Sequence, residues 1–502
     1  MYYFEFKESF AFPDLEQRNG LRIVKEESKA RRLRILDTVD WSIWRSGQVL
    51  LQDDGGRMEL YDRHDHLRVS VACKSRHAII KKVPEPLARE LKSLISVRAL
   101  VSHFDCQWQV QSLVCCNQDD KIVSRAEIFT LGPAASFPSF MRLYPLRGYE
   151  RETEQIVKAL SPIAAPGSTA ITTRFLLECS GLVARPPVTK PAFHLRADQA
   201  TEEAVLNMLA ELVRLARSQE EGLIADIDSE FTHQYRVNLR KARSLLSLFR
   251  KALTPWRYQN LRLQLKSMAK TTNRLRDLDV FLLDQQDYYA MLPDQFQRGL
   301  NALFTRLRRQ RRQVWKRVIS VLQGQDYLDR VAVLEQHLQQ PPDVAGSYSQ
   351  TPIGRRVSRK ILSQYRRIQR DGARINATTP DARVHDLRIE TKKLRYLLEL
   401  FAELFPRDEV RELIKALKKL QDNLGRFNDY SAQSLFLTEL NRTATTTASQ
   451  RDAINALLAV LFSKQKEERE QVVALVADFS ADKIAEQFRA LFAPSATRNK
   501  RQ

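Results

Sequence analysis

Two histidines, His233 and His385, each begin a run in which cations fall at the third, seventh, eighth and tenth following positions. The first run supplies Arg236, Arg240, Lys241 and Arg243; the second supplies Arg388, Lys392, Lys393 and Arg395. Wound on an α-helix at about 100° per residue, all but the eighth-position lysines share one arc with the histidine. Ala242, Leu245, Leu246 and Phe249 take the opposite arc of the first run. Such a helix buries an apolar stripe and holds out a ridge of guanidinium and ammonium groups. Those groups grip oxyanions, and imidazole donates more strongly once protonated. A chain that builds this ridge twice is suited to holding something long and negative.

The duplication continues beyond the ridges. Leu261-Arg-Leu-Gln-Leu265-Lys266 through Arg274-Leu-Arg276-Asp277 corresponds, at the same spacing, to Leu413-Ile-Lys-Ala-Leu417-Lys418 through Arg426-Phe-Asn428-Asp429. This adds Lys266, Arg274, Lys418 and Arg426 to the candidate anion-binding residues. Repeats that cannot each bury their own apolar face stack on one another, so two similar lobes packed as a pair are expected. A solvated charged surface would account for a single basic run. It does not account for histidine and cations recurring in register while many residues between them differ.

Length and charge set the frame for these motifs. With 502 residues the chain has room for several domains. No apolar run reaches the length of a membrane span. Met1-Tyr-Tyr-Phe-Glu5-Phe-Lys7-Glu8 carries acids where a secretory signal needs a basic start, so a cytoplasmic location is expected. Cys73, Cys106, Cys115, Cys116 and Cys179 show no metal-ligand spacing and read as reduced, half-buried strand thiols. Net charge is +21, with 29 Lys/Arg against 24 Asp/Glu in residues 1–200 and 52 against 36 in 201–502. The polyanion site is therefore expected in the C-terminal region.

Elements follow from pattern. Leu67-Arg-Val69-Ser-Val71 and Trp108-Gln-Val110-Gln-Ser-Leu113 alternate like strands, Asp53-Asp-Gly55-Gly56 marks a hairpin turn, and Pro86 through Leu100 reads as a short helix. The Pro-rich Ala184–Pro191 stretch reads as a linker. From Ala197 the pattern is helical, with a break at Pro341–Gly354 between the lobes. Asp228-Ser229 and Thr379-Pro380-Asp381 suit helix starts ahead of the two ridges. Two further basic helices are expected, around Arg306–Arg317 and Arg355–Arg370, either as solvated faces or as extensions of the positive surface. His64-Asp-His66 lacks a third ligand and reads as a solvated turn, and Trp41, Trp44 and Trp108 read as core. No metal and no cofactor is expected.

The two ridges resemble the CHAD family, the conserved-histidine α-helical domain, whose halves each open with H-x-x-R-hydrophobic-x-x-R-[KR]-x-R. His233–Arg243 and His385–Arg395 meet that form, with Lys392 in place of an arginine, and the following helices end in Arg276-Asp277 and Asn428-Asp429. The resemblance spans about 198–493. It implies an all-α domain at 198–502, built as two pseudo-symmetric four-helix bundles with lobes at about 198–342 and 351–502. It further implies binding of inorganic polyphosphate without turnover, in the cytoplasm and on polyphosphate granules. The 1–190 part is similar to a degenerate CYTH domain, an antiparallel α+β triphosphate-tunnel barrel. Leu36-Asp37-Thr38-Val39-Asp40 with Gly47-Gln-Val-Leu50 carries that resemblance, together with Glu5, Lys7 and Glu127. Tyr3 replaces one family acid and Val49-Leu50-Leu51 replace its arginines, which implies a relic without catalysis. The alternatives are a metal-dependent triphosphatase in that domain, with Glu26 or Glu59 as the missing acids, or non-specific nucleic-acid binding by the basic surface, for which the ridges lack interleaved aromatics.

Overall fold

The computed structural model describes residues 2–6, 22–62, 67–73, 78–79, 83–131, 139–161, 165–166, 191–340, 346–376, 378–443 and 446–493. The chain divides into two units, Met1–Thr189 and Lys190–Gln502.

Among the described residues, alternating sequence in the first unit produces ten antiparallel strands: β1 (Tyr2–Phe6), β2 (Arg22–Asp37), β3 (Gln48–Asp53), β4 (Arg57–Asp62), β5 (Leu67–Ala72), β6 (Ala78–Ile79), β7 (Ala99–Cys116), β8 (Ile122–Leu131), β9 (Ser139–Pro145) and β10 (Ala165–Pro166). Their order is β10-β1-β9-β8-β7-β2-β3-β4-β5, with β6 paired to β7. Among the described residues three helices accompany them: α1 (Ser42–Arg45), α2 (Leu87–Ile95) and α3 (Glu150–Leu160). The β3–β4 turn falls at Asp53–Gly56, where the Asp53 carboxylate accepts from the Arg57 amide at 2.7 Å and Gly56 adopts φ 80°. Arg142 on β9 acts electrostatically on the hydroxyls of both Tyr144 and Tyr61.

Sequence expectations need two corrections in this unit. The helix expected to run to Leu100 ends at Ile95. Leu87, Leu91 and Ile95 complete its buried stripe, after which Val97, Ala99 and Val101 alternate and Ala99 opens β7. Cys73, Cys115 and Cys116 are free thiols as expected, but buried rather than half-buried. Trp41 is buried, its ring tilted against that of His103 with centroids 4.1 Å apart. His64 and His66, Lys7, Cys179 and all of the linker but Pro191 lie outside the described residues, as do the side chains of Glu5, Cys106 and Trp108.

The second unit is all helical: α4 (Thr201–Arg217), α5 (Glu220–Ile224), α6 (Ser229–Leu248), α7 (Pro255–Thr271), α8 (Asn273–Leu283), α9 (Gln285–Ala290), α10 (Gln297–Leu322), α11 (Gln325–Gln339), α12 (Ile353–Gly372), α13 (Asp381–Leu400), α14 (Arg407–Asn441), α15 (Ala448–Ser480) and α16 (Asp482–Phe492). Both ridges are 20-residue helices, α6 and α13. Each is followed by a one-turn 3₁₀ segment, Arg250–Ala252 or Ala402–Leu404, and then by a helix, α7 or α14. The copies part company there. α14 runs unbroken for 35 residues, whereas its counterpart breaks at Thr272 into α7 and α8.

The ridge helices also start differently. The Asp228 carboxylate accepts from the amides of Glu230 (2.9 Å) and Phe231 (3.3 Å), a true N-cap. Ahead of α13 the expected cap is corrected. Pro380 occupies the N-cap, while the Thr379 hydroxyl accepts from the Asn376 amide at 2.9 Å within the preceding turn. At Gly299 the backbones of α10 and α15 approach so closely that a Cβ would stand 2.1 Å from the Ser449 carbonyl oxygen. Among the described residues no helix is long and apolar enough to cross a membrane.

Candidate functional site

α6 and α13 pack against each other, and a cleft of 590 Å³ opens beside their contact. Its walls carry Arg240 and Arg243 from α6, Arg388, Lys392 and Lys393 from α13, and Tyr258, Arg262 and Lys266 from α7, with Ser244, Ser247, Leu246, Ile389 and Tyr396 between them. Among the described residues seven cations line it and no carboxylate does. Like charges in one partly buried space repel, and each is penalised further by loss of water.

The penalty is visible in the titrating groups. Burial, then Arg388, Arg395 and Arg240, hold the Lys392 ammonium below the usual lysine range. Burial and Arg240 likewise lower Arg388, against the opposing pull of Asp429. Arg236 is pushed down to about 10 by burial and by Arg240, with Asp277 opposing, which leaves it charged at neutral pH. Asp277 and Asp429 thus occupy equivalent places in the two copies, each offsetting the third-position arginine. That is a physical role for the paired Arg276-Asp277 and Asn428-Asp429 motifs.

The structure sorts the remaining sequence candidates. Arg236 is half-buried and its Nη1 donates to Asn273 Oδ1 (2.6 Å), the Ala269 carbonyl (3.1 Å) and Thr272 Oγ1 (3.3 Å). It therefore braces the break between α7 and α8. His385 Nδ1 lies 2.7 Å from Asn428 Oδ1, so with the proton on Nδ1 the far nitrogen can donate to an anion only as imidazolium. His233 is half-buried one turn before Arg236. Lys241 and Arg395 border a different groove of 570 Å³, together with Glu399, Glu403 and Arg407. There Arg395 donates to Glu399 at 2.6 Å.

Arg274 and Arg426 are not brought to the cleft. Arg274 pairs with Glu439 at 3.3 Å and lies over the Phe436 ring, and Arg426 makes a two-pronged pair with Glu468 at 2.6 and 2.9 Å. Lys418 is exposed on α14, outside the cleft lining. Conversely, sequence reasoning missed Tyr258, Arg262 and Tyr396. The signal for the first two was present, because Tyr258, Arg262 and Lys266 follow i, i+4, i+8 spacing on one face of α7. Among the described residues no group of three or more His, Cys, Asp or Glu side chains is placed to hold a metal ion. In the first unit Glu127 accepts from the Tyr144 hydroxyl at 2.8 Å and Glu59 from that of Tyr61 at 2.7 Å. Asp37 is buried, accepting from the amides of Thr38 (2.6 Å), Ile43 (2.9 Å) and Trp44 (2.8 Å).

Residues 207–438 match the family model described as CHAD domain. The helical unit therefore contains a CHAD domain. A crystal structure of the CHAD domain from the plant Ricinus communis is similar at 25% identity and a TM-score of 0.48, covering 61% of this chain and 97% of that one. PptA from Streptomyces chartreusis is similar at 16% identity and a TM-score of 0.37, covering 58% and 98%. A comparison with curated proteins finds no match.

Proposed function

We propose that the helical unit binds inorganic polyphosphate in the cleft between α6 and α13 and holds it without turnover. The carrying observation is a lining of seven cations with no acid. Crowding of that kind is unfavourable in the empty protein and is relieved by a ligand that brings negative charge and no bulk. Polyphosphate brings about one charge per phosphate, and arginine forks can grip its oxygens in pairs. The CHAD domain match supports the same ligand through the family resemblance.

A titration of the full chain with polyphosphate at several salt concentrations tests this. Affinity should fall steeply with salt, approaching a log–log slope of about −5 if most cleft cations meet phosphate. The variant R240Q/R243Q/K392Q should bind far more weakly. Salt-independent binding, or binding indifferent to that variant, would overturn the reading.

Tyr258 and Tyr396 in the cleft favour a second reading, because aromatic rings beside cations also suit single-stranded nucleic acid. Competition between polyphosphate and single-stranded RNA at fixed salt separates the two. Under the second reading Y258L/Y396L loses RNA affinity selectively; under the first, RNA competes poorly and the double variant still holds polyphosphate.

A further inference from the structure

We propose that α12 forms a second anion-binding surface, one that takes the part of a long polyphosphate chain extending beyond the cleft. The proposal rests on the polyphosphate reading of the cleft. Its first support is continuity. Ile389 and Lys393 border both the cleft and a neighbouring groove, and Arg367 and Arg370 border both that groove and a third, which Arg359 and Arg366 complete. From Arg359 to Arg370 the helix rises about 16 Å, enough to hold a further run of phosphates.

The second support is that α12 violates rules an ordinary solvated helix obeys. Between Ile353 and Arg370 it has no acid. Arg355/Arg359, Arg356/Lys360 and Arg366/Arg370 are like-charge pairs at i,i+4, which repel. Arg355 and Arg356 stand in its first turn, where the helix dipole disfavours cations. At that end Arg356 lies 3.7 Å from the centre of the Tyr348 ring and Lys251 5.9 Å from the same ring. Burial, Arg356, Arg250 and Lys251 all press the nearby Lys360 towards its neutral form, and no carboxylate opposes them. Local rules broken together, answered inside the fold only at Arg367 and Arg370 by Asp371 and Glu390 and at Arg356 by the Tyr348 ring, mark a site shaped for something outside it.

On the other basic helix the cations divide: Arg309, Arg312, Lys316 and Arg317 are exposed as on α12, but three arginines are committed to the fold. On α10, Arg306 donates to Thr443 and Thr446, Arg308 to Gln285, and Arg311 to Asp226 and Asp279. Those arginines hold the fold. Arg359 and Arg366 have no ion-pair partner among the described residues. The groove between cleft and α12 is of mixed sign, since Asp371 and Glu390 pair with Arg367, Arg370 and Lys393 there. Grip is weakest at that crossing, and Arg359 and Arg366 secure the far end.

The test compares long-chain polyphosphate with tripolyphosphate on the full chain and on R359Q/R366Q/R370Q. The variant should lose on the order of tenfold in long-chain affinity and about 2 in salt slope, while tripolyphosphate binding stays within about twofold. Circular dichroism melting checks the fold, and R359K/R366K/R370K should retain most long-chain affinity. Unchanged long-chain binding, or equal loss for both anions, overturns the role of α12 and leaves the cleft reading intact. A wild-type chain that binds neither anion overturns both.

Discussion

The rings of Phe249 and Phe401 meet with centroids 5.5 Å apart, and each is the other's counterpart in the duplicated sequence. Self-contact of equivalent residues occurs where two copies of one patch face each other. Here it pins the C-terminal ends of α6 and α13 together, so the two ridges share one cleft and the charge of Arg240 reaches Arg388 and Lys392.

That coupling is measurable. R240Q, K392Q and the double variant should be non-additive in polyphosphate affinity, with an interaction energy of roughly 0.5–3 kcal/mol. Removing Arg240 relieves the pressure on Lys392, so Lys392 counts for more in that background and the double loss should exceed the sum. Additive losses would mean that the ridges act independently.

The depressed Lys392 predicts opposite pH slopes for stability and binding. In the alkaline window between its folded value and the ordinary lysine value, the unfolded chain binds more protons, so this group makes stability rise with pH. A bound polyanion restores the ammonium, so binding takes up protons and weakens as pH rises through the same window. Calorimetry in two buffers of different ionisation enthalpy would show the uptake. K392M should abolish its share of both slopes; an unchanged proton count would refute the assignment.

Arg257 is predicted to be a stability residue. It is buried, paired with buried Glu202 at 3.5 Å, and donates to the carbonyls of His337 and Gln340 at the end of α11. R257M leaves an unpaired buried carboxylate, and roughly 3–5 kcal/mol of stability should be lost. Denaturant unfolding measures it. A loss under about 1 kcal/mol would place Glu202 in contact with water instead.

We expect the full chain to release no phosphate from tripolyphosphate with magnesium or manganese. Mg²⁺ relies on carboxylates together with substrate phosphates and waters. Glu127 and Glu59 are each engaged by a tyrosine hydroxyl. Metal-dependent release abolished by E5Q would show that the first unit is catalytic after all.

How much of this was legible beforehand differs by residue. The ridge helices were readable because a 3.6-residue period and a repeated register both point to them. Which cations face the cleft was not readable from the ridge motif's extension. Arg274 and Arg426 share the spacing of true cleft residues, yet Glu439 and Glu468, distant in sequence, claim them. Arg262 was accessible through its spacing from Lys266, whereas Tyr396 entered the cleft only through the packing of α13 on α6. The helix overrun at Ile95 had a local cause, a switch of period within five residues.

The groove beside Lys241 and Arg395 carries a last consequence. Glu399 and Glu403 stand there where the first copy has Ser247 and Lys251, and Glu403 accepts from the Leu195 amide at 2.7 Å, drawing the Pro191–Phe193 segment into the lining. The chain's own approach thus walls part of this 570 Å³ groove, and among the described residues no such segment lines the cleft. The proposed ligand, polyphosphate, reads the same from either end, but the surface it would meet has a front and a back.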